Sequence, residues 1–161
     1  MKELGASTDV SAADEALGAI ARGESPTAPL PSELDPDAQE ALILAAGHGH
    51  LEAVVDAVGP DFRGVVGGSP RGSLLCHAAW VGDAAAVAAL LERGANPAAR
   101  ADARFDTPLA WAAHGSFAFR TPRRDYVAVA ERLLAAGNCV EPYLLEAAEG
   151  PLYDWIEARL R

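Results

Sequence analysis

Several features that mark large classes of protein are scarce in this sequence. Its 161 residues include two cysteines and one methionine, and aromatic residues make up only 6% of the chain. The longest apolar run, Ala84 to Leu91, is far shorter than the roughly 18 to 20 residues that a membrane-crossing helix needs. The N-terminus lacks the apolar segment of a secretory leader. These absences predict a cytoplasmic protein with no membrane partner.

The cysteines and the charges narrow the class of partner. Cys76 and Cys139 lie far apart and do not form a Cys-x-x-Cys pair, so reduced thiols are expected. The net charge is -10, and residues 1 to 62 hold 12 acidic and 2 basic residues. Because an acidic chain repels phosphate backbones, we expect no nucleic-acid partner. A protein partner is favoured.

Alanine is abundant, and it occurs in a repeat. The pattern Leu-x-x-Ala-Ala recurs four times, with its leucines 33, 34 and 35 residues apart, at Leu42, Leu75, Leu109 and Leu144. Each copy is followed by a short break and a second helical stretch. Two of these stretches end before Gly94 and Gly137, where a left-handed glycine can stop a helix. The pattern predicts an all-α fold of helix-turn-helix units.

These motifs resemble the ankyrin repeat. The family signature Thr-Pro-Leu-His-x-Ala-Ala is nearly reproduced at Thr107 to Ala113 and loosely at Ser73 to Ala79. Leu90 to Asn96 matches the end of the repeat, Leu-Leu-x-x-Gly-Ala-Asp, and Gly49-His50 and Gly82-Asp83 match its Gly-His step. The resemblance covers residues 36–161 and implies an ankyrin-repeat solenoid of about four units, 36–68, 69–102, 103–137 and 138–161. Small stand-alone bacterial proteins of the family are the most similar type.

The residues before the repeats predict a cap. Residues 1–10 are expected to be a flexible N-terminus, and residues 11–35 a capping helix (11 to 23) followed by a proline-rich connector. Asp35-Pro36 is typical of a helix start, with an N-cap carboxylate and proline at the first helical position.

The resemblance implies that a partner binds the concave side, made of first helices and the turns between units. The positions just after Ala-Ala and the arginine-bearing turns are therefore the predicted contacts: His48, Trp80, Val81, His114, Arg71, Arg100, Arg104 and Asp106. Exposed tryptophan is enriched in binding hot spots, which puts Trp80 first. Trp80 could instead pack on Trp111, which we expect to be buried. The arginines could equally be ordinary solubilising residues.

The third unit carries an insertion of about ten residues between its two helices. It contains two aromatic residues and three arginines: Phe117, Phe119, Arg120, Arg123 and Arg124. A recognition loop is the preferred interpretation, since functional residues concentrate in loops. A tolerated extension that packs on neighbouring helices is the alternative, because lengthening a loop costs little entropy.

Together these features predict a monomeric protein-protein interaction module that is not an enzyme and uses no cofactor or metal. One alternative is an immunity protein that inhibits a toxin or enzyme through its acidic front, at Glu33, Asp35, Asp37 and Glu40. A remote alternative is an enzyme or metal protein built around Cys76, His48 or His114. Adjacent Cys76 and His77 point about 100° apart on a helix and cannot act as a pair. The sequence leaves the partner unidentified.

Overall fold

The structure, a computed structural model, describes residues 5–119 and 124–161, with side chains from residue 12 onward in those ranges. It is mostly helical, which confirms the predicted all-α class. The helices are α1 Gly5–Ala21, α2 Pro36–Ala45, α3 Leu51–Val58, α4 Leu74–Trp80, α5 Ala84–Glu92, α6 Pro108–Ala118, α7 Tyr126–Ala135 and α8 Gly150–Leu160. A short 3-10 helix covers Pro142–Glu146, and two-residue strands occur at Arg63–Gly64 (β1) and Gly72–Ser73 (β2). The chain divides into two compact units, Met1–Ser69 and Pro70–Arg161.

In the first of these two compact units, α1, α2 and α3 pack around a small aliphatic core. Ile20, Leu42 and Val54, one from each helix, are at most 1% exposed. Helix α2 begins as the sequence predicts, because the Asp35 carboxylate accepts a 2.8 Å hydrogen bond from the Ala38 amide and Pro36 is the first helical residue. Helix α1 begins at Gly5, so it extends into residues that the sequence analysis assigned to a flexible terminus.

Helices α2 and α3 are joined by a kinked helical turn, Ala46–His50, in which Gly49 adopts a φ of 98°. The whole stretch Pro36–Val58 has 23 residues and a mean hydropathy of 1.3, which by length and composition alone would suffice to cross a membrane. A single such stretch is weak evidence, since the core helix of a globular unit passes the same test. That the protein has no membrane partner stays a prediction.

The second of the two compact units consists of antiparallel helix pairs packed side by side. Helix α4 contacts its own partner α5 and also α6, while α5 contacts α7, and α8 contacts both α6 and α7. First helices therefore adjoin first helices, and second helices adjoin second helices. The leucine of every Leu-x-x-Ala-Ala copy is at most 1% exposed in both units. Burying a leucine side chain contributes about 1.5 to 3 kcal/mol, so this repeat position supplies much of the core.

The helix ends follow local sequence chemistry. Thr107 Oγ1 accepts the Ala110 amide at 3.1 Å to start α6, with Pro108 in the first turn. Gly94 and Gly137 have φ values of 86° and 103°, and both follow a helix as predicted. The fourth copy differs, because its first helix is a short 3-10 turn.

Candidate binding surface

The turn between α5 and α6, residues 98–107, forms a finger that is anchored at its base and open at its tip. The Ala101 amide donates to the Asp106 carbonyl at 2.7 Å, and the Asp102 amide donates to the Arg71 carbonyl at 2.9 Å. Arg100 pairs with the Asp106 carboxylate at 2.7 Å, and this hydrogen bond raises the pKa of the arginine. The Arg100 side chain is nevertheless 70% exposed. The finger thus presents arginine from a fixed backbone.

Two tryptophans connect the finger to the helices. Trp111 is 5% exposed and packs with Cys76 and Ala101 of the finger base, so the prediction that it is buried is confirmed. A side chain at Gly72 would lie 2.9 Å from the Trp111 ring, which explains why glycine stands there. Trp80 meets Trp111 edge to face, with ring centroids 6.1 Å apart, and stays half-buried. Trp80 therefore both packs on Trp111 and keeps a face toward solvent.

Five half-buried rings form a continuous line, which we call the aromatic row: Phe119, Trp80, His114, Phe105 and Tyr143. The centroid distances along it are 5.9, 6.5, 4.2 and 5.9 Å. Trp80 and His114 occupy the same position of successive repeats, five residues after the repeat leucine, and their rings stack with an interplanar angle of 21°. The repeat spacing thus brings together two residues that the sequence predicts as contacts.

Guanidinium groups lie on the phenylalanines of the row. The Arg124 guanidinium carbon is 4.1 Å from the Phe119 ring centroid, and that of Arg104 is 5.6 Å from the Phe105 centroid. Arginine over an aromatic face gains about 0.5 to 1 kcal/mol at exposed sites and holds the ring in place. The row is therefore a preorganised surface of flat apolar faces with positive charge beside it.

The part of the insertion that the structure describes is hydrogen-bonded to the C-terminal end of α4. Three consecutive carbonyls there accept hydrogen bonds: Trp80 from the Tyr126 hydroxyl at 2.8 Å, Val81 from the Arg124 guanidinium, and Gly82 from the Asp125 amide at 3.2 Å. The last carbonyls of a helix have no intrahelical partner, so these bonds satisfy groups that would otherwise need water. Asp125 also accepts the Ala128 amide at 2.9 Å and starts α7.

The remaining predicted contacts lie in different settings. Phe117, at the end of α6, is 56% exposed, whereas the side chain of Val81 is half-buried. Arg71 and Arg104 are exposed, and His48 is exposed in the first unit. Arg120 and Arg123 lie outside the described residues. The structure thus brings Trp80, His114, Phe119, Arg104 and Arg124 together on the aromatic row or beside it, with Arg100 and Asp106 on the adjoining finger.

Sequence reasoning missed two members of the row, Phe105 and Tyr143. Each stands shortly before a repeat leucine, Phe105 four residues before Leu109 and Tyr143 one residue before Leu144. Their offsets differ, so no repeat position selects both. The scarcity of aromatic residues was the available indication that these two matter. The chain has only three Trp, three Tyr and four Phe, and four of these ten rings lie in the row.

A cleft of about 490 Å³ lies beside the docked insertion, lined by parts of α6, α7 and α8. Its buried hydroxyl, Ser116, donates to the Ala113 carbonyl at 2.7 Å and accepts the Glu149 amide at 3.0 Å. The Ser116 hydroxyl thus links α6 to the start of α8 by hydrogen bonds. Within residues 5–119 and 124–161, no group of three or more His, Cys, Asp or Glu side chains is placed to hold a metal ion.

The sequence matches no protein-family model and is similar to no curated protein. Membership of the ankyrin family therefore stays a prediction from the motifs quoted above, and the surface must be interpreted from its own residues.

Proposed function

We propose that this chain is a protein-protein interaction module of the ankyrin type. The second of its two compact units binds a protein partner along the aromatic row. The packing of first helix on first helix and second helix on second helix supports the ankyrin type. In this arrangement the row crosses successive first helices and the finger between them. The frame is built from buried leucine and alanine, so it leaves the row free to vary with the partner.

One observation carries the proposal: four of the ten Trp, Tyr and Phe rings of an aromatic-poor chain are gathered in one half-buried line, whereas only three, Trp111, Tyr126 and Trp155, lie in the largely aliphatic core. Aromatic side chains bury large areas with little loss of conformational entropy, and tryptophan and arginine dominate binding hot spots. The Trp80 and Val81 carbonyls accept hydrogen bonds from Tyr126 and Arg124, which hold one end of the row, and the finger backbone holds Phe105. A rigid surface of this kind binds without a large ordering cost.

The test is affinity capture from lysate, followed by binding measurements with the captured protein. Phe105→Ala removes a ring of the row and Arg104→Ala removes the cation beside it, both without touching the buried Trp111 contact, and Trp80→Ala removes the ring between Phe119 and His114. Loss of a hot-spot residue costs about 2 to 4 kcal/mol, which weakens binding roughly 30-fold to 1000-fold. Tyr153→Ala is the matched control, since Tyr153 is 37% exposed on α8 and is not part of the row. Unchanged binding by all three row variants would remove the row from the interface.

A second candidate is an inhibitor of the immunity-protein type that uses the acidic front. The side chains of Glu33, Asp35 and Asp37 are exposed before and at the start of α2, as that function requires. The two candidates separate in the same experiment, because Glu33→Lys with Asp37→Lys would abolish capture if the acidic front binds. Those changes leave capture by the aromatic row intact.

A further inference from the structure

His114 stands at the middle of the aromatic row, and part of its ring has no polar contact. Its Nε2 atom is buried and has no hydrogen-bond partner among the residues that the structure describes. The Phe105 ring lies edge-on at 4.2 Å and the Trp80 ring is stacked at 6.5 Å. The imidazole therefore fills the space between the finger and α4 as an apolar group. Only the neutral ring can do this without placing a charge there.

Protonation changes that role. A neutral imidazole can place its hydrogen on Nδ1 and bury only a lone pair, whereas the imidazolium carries a donor on both nitrogens. Burying a charge without a partner is strongly unfavourable in proteins. Attraction of the cation to a nearby ring is weaker than this cost, and the Trp80 centroid lies beyond the roughly 6 Å at which that attraction acts. The burial cost is therefore the larger effect.

The charged and titratable groups on the surrounding elements do not compensate. They are His77 on α4, Arg100, Asp102, Arg104 and Asp106 on the finger, Arg124 and Asp125 before α7, Tyr126 on α7, Tyr143 and Glu146 on the 3-10 helix, and Glu149 before α8. Asp106 is paired with Arg100, and Asp125 caps α7. Burial alone lowers the pKa of His114, with no carboxylate acting to raise it.

We infer that His114 is a proton-controlled latch of the aromatic row: neutral, it holds Phe105 against α6, and its protonation in mildly acidic solution separates Phe105 from α6. The finger base is held independently of His114 by the Ala101–Asp106 and Asp102–Arg71 backbone bonds. The opening is therefore confined to the rings, and the helices stay folded. This inference concerns the free protein and does not depend on what partner it binds.

The experiment is an NMR titration of the full chain between about pH 8 and pH 4.5, across the range in which histidine changes charge. The His114 ring signals are assigned by comparison with His114→Gln, and nuclear Overhauser effects between the His114 and Phe105 ring protons report the closed row. We expect His114 to titrate below its ordinary pKa of about 6.5, with the His114–Phe105 effects vanishing over the same range.

His114→Phe keeps an aromatic ring that cannot be protonated, so finger signals that shift with acid in the wild type should stay constant in this variant. His48→Gln, at an exposed histidine of the first unit, is the control and should leave the transition unchanged. If the His114–Phe105 effects persist after His114 is protonated, or if His114 titrates at or above 6.5, the latch does not exist. His114→Gln serves only to assign the ring signals, so once they are assigned the wild-type titration is decisive and the conclusion does not depend on how His114→Phe behaves.

Discussion

At the scale of single residues, Gly115 decides how closely α6 approaches α4. A Cβ atom built on Gly115 would lie 1.9 Å from the Trp80 carbonyl oxygen, a distance that no adjustment of a side chain can relieve. The same carbonyl accepts the Tyr126 hydroxyl at 2.8 Å. The Trp80 backbone is therefore fixed from two directions, and the position of its indole in the row depends on both.

Gly115→Ala should lower the free energy of unfolding by about 3 kcal/mol or more, because backbone atoms of two helices must move apart. Chemical denaturation followed by circular dichroism measures the change. Gly18→Ala is the control: its new Cβ would meet only the flexible end of Arg22 at 3.4 Å. Near the C-terminal end of α1 this substitution should be neutral or stabilise by up to about 1 kcal/mol. Equal stability of Gly115→Ala and the wild type would show that the helices are less closely packed than described.

At the scale of elements, the end of the insertion and the end of α4 form one hydrogen-bonded joint. Asp83 and Asp125 play equivalent parts in it, since each accepts an amide at 2.9 Å and starts a second helix, α5 and α7. Gly82, with a φ of 72°, lies against Arg124 and Tyr126, where a Cβ would come within 2.9 Å. The extra residues of the third unit thus return to the repeat at a fixed point.

Tyr126→Phe should lower the free energy of unfolding by about 1 to 2 kcal/mol at neutral pH, because it leaves the Trp80 carbonyl without its partner. Burial raises the pKa of Tyr126, and Arg124 partly opposes this. The native state therefore favours the protonated hydroxyl. Its contribution is present below the ordinary pKa of about 10 and is lost as the pH rises through the higher native value.

Denaturation curves measured from neutral pH to about pH 11 test this joint across the range in which tyrosine ionises. The variant should lose less stability than the wild type over the alkaline part of the range. Tyr153→Phe, at a more exposed tyrosine of α8, removes a hydroxyl of the same kind and should behave as the wild type. A Tyr126→Phe curve parallel to that of the wild type would mean that the hydroxyl does not support the joint.

The elements were predictable where local sequence chemistry decides them. The 33-residue period located the buried leucines, and Asp35-Pro36, Gly94 and Gly137 marked helix ends that the structure confirms. The 3-10 turn at Pro142–Glu146 was not foreseen, because its Pro142 stands in a first turn just as Pro36 and Pro108 do, and those two begin α-helices. Of the aromatic row, Trp80 and His114 were predictable from a shared repeat position, and Phe119 from the insertion of the third repeat. Phe105 and Tyr143 belong to the row because of contacts between successive repeats, which no local sequence pattern predicts.

At the scale of the whole molecule, charge is the dominant feature. The net charge is -10, and the first unit alone holds 12 acidic and 3 basic residues. Exposed ion pairs such as Arg22–Glu24 and Arg161–Glu157, both at 3.0 Å, contribute little to stability, because water and salt screen them. Self-repulsion of a strongly charged chain opposes the compact state. Salt weakens both effects, so its net influence shows which is larger.

We expect repulsion to be larger, because the first compact unit has 12 acidic residues and only 3 basic ones. Raising sodium chloride from about 10 to 200 mM shortens the screening length from about 30 to 7 Å and should increase the free energy of unfolding by on the order of 1 kcal/mol. Chloride is used because sulfate would also strengthen apolar burial. Reversing two exposed charges, with Asp14→Lys and Glu33→Lys, should reduce this increase, whereas Asp14→Glu with Glu33→Asp keeps the charge and should preserve it. If salt instead destabilises the wild type, the exposed ion pairs contribute more than the surplus of carboxylates costs, and the acidic front is not under electrostatic strain.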